Sequence, residues 1–178
     1  MLNGEWDGCN SLVLPKCDQV AIEAAASLLE TSWCYQNAGE PVLIRLGVDE
    51  LLRRYAVGDR YFVNANLRCT NLSNICLENI DLSYAKLNLA NLSGSNLSKA
   101  NLTLAEMRSA NLSCTNLSRS QLVKANLAGA NLSAANLRGA DLSNADLSNA
   151  NLNGADLRGA NLGRVDLRKT SLDGAIVE

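Results

Sequence analysis

The stretch from Ala125 to Asn144 reads ANLAGANLSAANLRGADLSN. Four times over, Ala is followed by Asn or Asp, then Leu, then two variable residues. The same frame extends outward from Ala65 to Gly174 without one insertion or deletion, making 22 units. A period this short and unbroken means one structural unit stacked on itself.

The period rules out both regular elements. The central residue of each unit is Leu from Leu67 to Leu172, interrupted only by Met107. On an α-helix, five residues advance about 500°, so each Leu would be rotated about 140° from the last. On a straight strand, residues five apart point to opposite faces, and half of the Leu would meet water. The chain must therefore turn once per unit. A short extended piece followed by a corner lets the Leu and the residue two before it both point inward. That second inward residue is Ala in 14 of the 22 units and Ser or Thr in most of the others. The outward positions hold Asn, Asp, Ser, Gly, Lys and Arg, which suit corners and water. The pattern predicts an all-β solenoid.

These units resemble the A(D/N)LxX motif of the pentapeptide-repeat family over about 110 of the 178 residues. The resemblance implies a right-handed quadrilateral β-helix with four units per coil, a number that the spacing alone does not give. Residues 20 apart would then be vertical neighbours, about 4.8 Å from each other. Asn71, Asn91, Asn111, Asn131 and Asn151 would form one column, with side-chain amides bonded along the axis as in cross-β ladders. Asp146 and Asp166 would stack likewise. Thr70, Ser95, Thr115, Ser120 and Thr170 would point hydroxyls inward, where backbone carbonyls are the expected acceptors. Phe62 falls in the Leu register and is expected to complete an opening coil within residues 59–178.

Residues 1–58 have no five-residue register and hold both Trp and both Pro. They are expected to form an α-helical N-terminal cap. From Asp18 to about Cys34 apolar residues recur at helical spacing, with Asp18 as a plausible N-cap. Asn37 to Pro41 reads as a turn, and Val42 to Leu46 as an apolar run of either helix or strand. A second helix is predicted from about Val48 to Val57, with Asp49 and Glu50 at its start, Arg53 and Arg54 nearer its end, and Gly58 as its C′ residue. Its segment, DELLRRYAVGDRYF, resembles the helix before the first coil in many cyanobacterial family members. Leu51, Leu52 and Tyr55, with Phe62, are expected to pack there and cover the coil's bare end. Ile75 and Ile80, bulkier than Ala, suggest a tube that widens toward it. At the other end, Ala175, Ile176 and Val177 complete a coil whose face is expected to support self-association.

Composition narrows the function. The absence of His removes Ser-His-Asp and Cys-His catalysis. The six Cys include no C-x-x-C pair, do not fall 20 apart within the repeats, and are expected to be free thiols in a reducing cytoplasm. No phosphate-binding Gly loop, signal peptide or membrane-length apolar stretch is evident. No enzyme, metal or cofactor role is expected. Residues 60–178 carry 12 Lys and Arg against 9 Asp and Glu, a net of +3, while residues 1–59 carry 4 against 9, a net of −5. Gyrase-protecting members of the family that this chain resembles are thought to mimic DNA through a strongly acidic face, and they favour Phe at the central position. A positive, Leu-centred solenoid is a poor polyanion mimic, and it is not basic enough to argue for nucleic-acid binding.

Outward apolar residues are few. Tyr84 and Leu104 would be vertical neighbours, below Lys124, with Leu89 one corner away; together they make a candidate contact patch. On another side, Arg138 would neighbour Arg158 and Lys99 would neighbour Arg119, two stacks of like charge that an anionic partner would relieve. The sequence thus points to a rigid, non-enzymatic scaffold that binds an unidentified protein partner, with modulation of a topoisomerase as the alternative. The family's abundance in cyanobacteria suggests a regulatory or structural part there.

Overall fold

With one exception, at Asp146 and Asp166, every repeat is joined to the one 20 residues on. In the computed structural model, which describes residues 5–6, 11–13, 32–36, 40–44 and 47–177, parallel bridges link Tyr61 to Asp81, Asn66 to Lys86, Asn71 to Asn91 and so on to Asp156 and Ile176. A coil therefore takes four units, and the solenoid is a quadrilateral tube. Two backbone hydrogen bonds close each bridged rung. In the coil of Leu112, its N–H donates to the carbonyl of Asn131 at 2.7 Å, and the Asn131 N–H donates back to Ala110 at 2.9 Å.

The corners are β-turns. The Ala125 N–H donates to the Leu122 carbonyl at 3.0 Å, closing a four-residue turn. The residue two after the central Leu is left-handed at every corner from Asn64 to Gly174 except Lys169, whether it is Gly, Asn, Lys or Tyr; Lys124 has φ 56° and Tyr84 φ 60°. This is the requirement of a type II corner.

The bore is filled by the two inward series. The Leu from Leu67 to Leu157, with Met107, are buried with exposure of 1% or less. Burying each Leu is worth roughly 1.5–3 kcal/mol of transfer free energy. Ile80 is fully buried and Ile75 packs at the margin of the same core. All five inward hydroxyls find carbonyls: Thr70 donates to Leu67 at 2.7 Å, Thr115 to Leu92 at 2.8 Å, Ser120 to Leu117 at 2.7 Å, Thr170 to Leu147 at 2.9 Å, and Ser95 to Leu72. The Asn column forms the expected ladder, each side-chain amide donating to the Asn one coil before at 3.2–3.4 Å. A second ladder joins Asn136 to Asn116 at 3.2 Å and Asn116 to Asn96 at 3.0 Å. In both columns Oδ1 also accepts from the backbone N–H two residues on, as Asn111 Oδ1 does from the Ser113 N–H at 3.2 Å, so Asn braces its own corner and the next coil together.

The N-terminal region departs from the all-helical expectation. Strands β1 (Glu5–Trp6), β2 (Ser11–Val13), β3 (Ser32–Gln36) and β4 (Glu40–Ile44) form an antiparallel sheet in the order β1-β2-β4-β3. Ser32, Trp33 and Cys34 pair with Ile44, Leu43 and Val42, so the helix expected to reach Cys34 does not. The segment SWCYQ is rich in residues that suit a pleated surface, and β4 supplies the partner that helical periodicity could not reveal. The rest of that predicted helix, residues 18–31, lies outside the described residues. Of the predicted turn, Glu40 and Pro41 belong to β4, and 37–39 lie outside the described residues; the register sets Gln36 opposite Glu40. The ambiguous apolar run is strand as far as Ile44.

The second predicted helix is present as α1, Val48–Ala56, with Asp49 and Glu50 in its first turn. Gly58, at φ 100°, lets the chain leave it: the Gly58 N–H reaches the Tyr55 carbonyl at 3.1 Å and the Asp59 N–H reaches Arg54 at 3.0 Å. Leu51 is fully buried in the solenoid's own core, with Val48, Leu52 and Tyr55 packed at its margin and Phe62 buried beside them. Tyr55 Oη donates to the Glu78 carbonyl at 2.9 Å, fixing the helix to the coil. The Arg54 guanidinium lies 4.9 Å over the Phe62 ring and pairs with Asp59; that of Arg60 lies 3.8 Å over the Tyr55 ring.

Candidate interaction surface

Four edges run along the tube, one per corner, and they differ in chemistry. The edge formed by the corners after Phe62, Leu82, Leu102 and Leu122 carries Val63, Tyr84, Leu104 and Val123. Tyr84 is 52% exposed and Leu104 38% exposed, as vertical neighbours. Leu89, 59% exposed, lies on the next edge. All three stand at left-handed positions, with φ of 59–60°. A left-handed backbone costs an L-residue about 1–2 kcal/mol, so a bulky apolar side chain here gains nothing from the fold.

The edge formed by the corners after Leu77, Leu97, Leu117, Leu137 and Leu157 is basic. It carries Lys99, Arg119, Arg138 and Arg158. The stacked arginines are partly relieved from within: Asp156 binds Arg158 at 2.6 Å and Arg138 at 3.5 Å. Lys99 pairs with Glu78 at 2.8 Å. Arg119 is exposed and has no acidic partner among the described residues.

The apolar and basic edges, read separately in the sequence, flank one and the same face. Along a single rung, Lys99 stands at one corner, Asn101 in the middle and Leu104 at the other corner. The edge diagonally opposite Leu104, after Leu72, Leu92, Leu112 and Leu132, bears only Ser, Asn, Gly, Cys and Ala. Among the described residues, two exposed apolar ones fell outside the sequence reading: Tyr61, 58% exposed on the opening coil, and Val57, 82% exposed past α1. Extending the repeat register back through Phe62 would have placed Tyr61 on this same face.

A second feature is a cleft of about 670 Å³ near the last coil, lined by Asn144 to Ser148, Arg164, Asp166, Arg168 and Lys169. Its carboxylates are held ionised. The Ser148 hydroxyl and amide draw the Asp146 carboxyl below its ordinary value, and the bidentate Arg168 guanidinium draws Asp166 far lower. Asp141 is lowered by Ser143, and Asp156 strongly by Arg158. A general acid at neutral pH needs a shift in the other direction. Cys69, Cys76 and Cys114 are exposed free thiols. Among the described residues no helix is long and apolar enough to cross a membrane.

A family model described as pentapeptide repeats matches residues 61–83, 85–122, 125–164 and 145–178, in eight copies. The chain is 32% identical to a crystal structure of a pentapeptide repeat protein from the cyanobacterium Cyanothece 51142, covering 74% of this chain and 100% of that one, with a TM-score of 0.54. It is 31% identical to a pentapeptide repeat protein from the Arabidopsis thaliana thylakoid lumen, covering 58% of this chain and 68% of that one, with a TM-score of 0.52. Among curated proteins, none matches.

Proposed function

The chain belongs to the pentapeptide-repeat family, and from that premise we propose that it is a non-enzymatic binding module whose rigid faces hold a protein partner. The observation that carries this reading is the pair Tyr84 and Leu104: large, apolar, exposed, and placed where the backbone favours Gly or Asn. Neither burial nor local conformation accounts for them, and an exposed apolar patch rimmed by polar residues fits a contact site. The boundary between the two parts is placed at residues 58/59, with α1 serving as the cap of the first coil, a role that the burial of Leu51 supports. The right-handed sense of the coil follows from family membership. Topoisomerase modulation by DNA mimicry is disfavoured by the net +3 charge of residues 60–178.

The test is affinity capture from the native host with the tagged full chain and with Tyr84→Asn/Leu104→Asn, read by mass spectrometry. A partner retained by the parent and lost from the double variant is expected. Equal capture by both removes the reading.

Self-association through the last coil is a second reading, supported by Ile176 at 46% and Val177 at 53% exposure. Sedimentation at rising concentration is expected to show a dimer that Val177→Asp abolishes; a monomer throughout contradicts it.

A further inference from the structure

Resting on the binding-module reading, we infer that the face between Lys99 and Leu104 takes an acidic amphipathic α-helix lying along the solenoid axis. Three observations lead there. The first is the lateral surface itself. On this face the bridged rungs spend their backbone N–H and C=O groups on the coils above and below, as Leu102 does on Gln121 at 2.7 Å and Asn101 on Ile80 at 2.9 Å. A partner strand approaching the side finds no free backbone edge, so recognition must run through side chains, as it does for a helix laid in a groove.

The second is repeat length. Coils are stacked about 4.8 Å apart, and a helix advances about 5.4 Å per turn. Over three coils the two drift by only about 2 Å. A helix with Leu on one flank and Glu on the other, at i, i+3 and i+4 spacing, therefore meets Tyr84 and Leu104 on one edge over the rungs of Asp81 and Asn101, and Arg119 and Arg138 on the other edge over the next two rungs, those of Gln121 and Asp141. One side of the tube, with about three extended residues at roughly 3.3 Å each, is about as wide as a helix.

The third is charge. Arg119 has no acidic partner among the described residues, and Arg138 is held only at 3.5 Å by an aspartate that Arg158 already grips at 2.6 Å. The middle of the face is neutral at Asn101 and Gln121 and acidic at Asp81 below and Asp141 above. Those two carboxylates, held by the amides of Ser83 and Ser143 at 2.9 Å, bound the stretch that an acidic helix can occupy.

The full chain is titrated, by fluorescence anisotropy, with three synthetic peptides: a Leu/Glu amphipathic helix, the same peptide with Lys for Glu, and a scramble of equal composition. The acidic helix is expected to bind at least ten-fold more tightly than either of the others. Leu104→Asn and Arg119→Gln are each expected to weaken it at least five-fold, and Ala134→Asn on the opposite edge to leave it unchanged. All three residues sit at left-handed corners that accept Asn or a long side chain, and circular dichroism verifies the fold. Equal binding of acidic and basic peptides, or indifference to Leu104 and Arg119, overturns the inference. So does a DNA duplex that binds through Arg119 and ignores Leu104, which would assign the face to nucleic acid. If host capture depends on Tyr84 and Leu104 while the peptides do not discriminate, the binding-module reading stands and the helix falls.

Discussion

Asp166 stands one coil above Asp146, and theirs is the one rung among the described coils that has lost its backbone bridge. It is also the one rung that places an acid over an acid; elsewhere Asp faces Asn, Gln, Tyr or Ile. The loss is local. The bonds expected from the Leu147 N–H to Asp166 and from the Asp166 N–H to Ala145 are missing, while Asn149 shifts its N–H to the Lys169 carbonyl at 2.8 Å. Lys169 alone among the corner residues from Asn64 to Gly174 is not left-handed, and Ala145 is 5% exposed where the other buried Ala are at 1% or less. The cleft described above is this opened seam.

If repulsion between the carboxylates opens the rung, Asp166→Asn closes it. An Asn supplies an amide donor, as Asn161 does to Asp141 at 3.1 Å. Two regained backbone bonds are worth about 1 kcal/mol each. Hydrogen exchange at the Leu147 amide is expected to slow at least ~10-fold. Val165→Ala, which removes the bulk that Val adds to a column of Ala, is expected to leave the exchange rate unchanged; slowing by that variant alone would shift the cause from charge to packing.

Stability and binding are expected to separate at the apolar edge. Leu104→Gly removes a side chain from a left-handed corner and is expected to raise stability by about 0.5–1 kcal/mol in urea titration, while partner capture falls. A large loss of stability would mean that Leu104 packs into the fold.

Leu51→Ala is expected to cost about 2–5 kcal/mol, the range for a fully buried Leu, because α1 buries this side chain in the solenoid core. Leu172→Ala, in the partly exposed last coil, is expected to cost clearly less. Equal costs would separate α1 from the core.

Acid is expected to weaken the solenoid. Outside the seam, the carboxyls of Asp141 and Asp156 are held below their ordinary value in the folded chain. Their contribution is present above the unfolded value, about pH 4, and is lost as pH falls through the folded values. Unfolding midpoints followed from pH 7 to pH 2 are expected to hold steady until about pH 4 and then drop. Asp156→Asn, which removes the Arg158 pair, is expected to flatten that drop.

The repeat was legible because its signal is local and iterated. Once Leu and Ala are known to face inward, the burial of Leu112, the carbonyl partner of Thr115 and the exposure of Tyr84 follow from counting in fives. The Asn71 column needed one further number, the coil of 20, which came with family resemblance. The N-terminal sheet was not legible, because Leu12 finds its partner Leu43 across 31 positions of chain, and helical spacing in the Ala-rich segment spoke louder than the β-favouring SWCYQ. The joining of the apolar and basic edges on one face was implicit in the columns, yet it needed the order of corners around a coil. The seam was half visible: the Asp146 and Asp166 stack could be counted, but the broken bridge and the altered corner at Lys169 are responses of the backbone.

Every edge and face rests on a coil of 20 residues, and spin labelling measures that length in solution. With the native Cys replaced by Ser, labels are placed at 84 and 104 in one sample and at 84 and 99 in another. Strong dipolar broadening for the 84/104 pair, with clearly less for 84/99, is the predicted result. Stronger broadening for 84/99 would mean a coil of three units, and would contradict the fold, the shared face and the binding surface together.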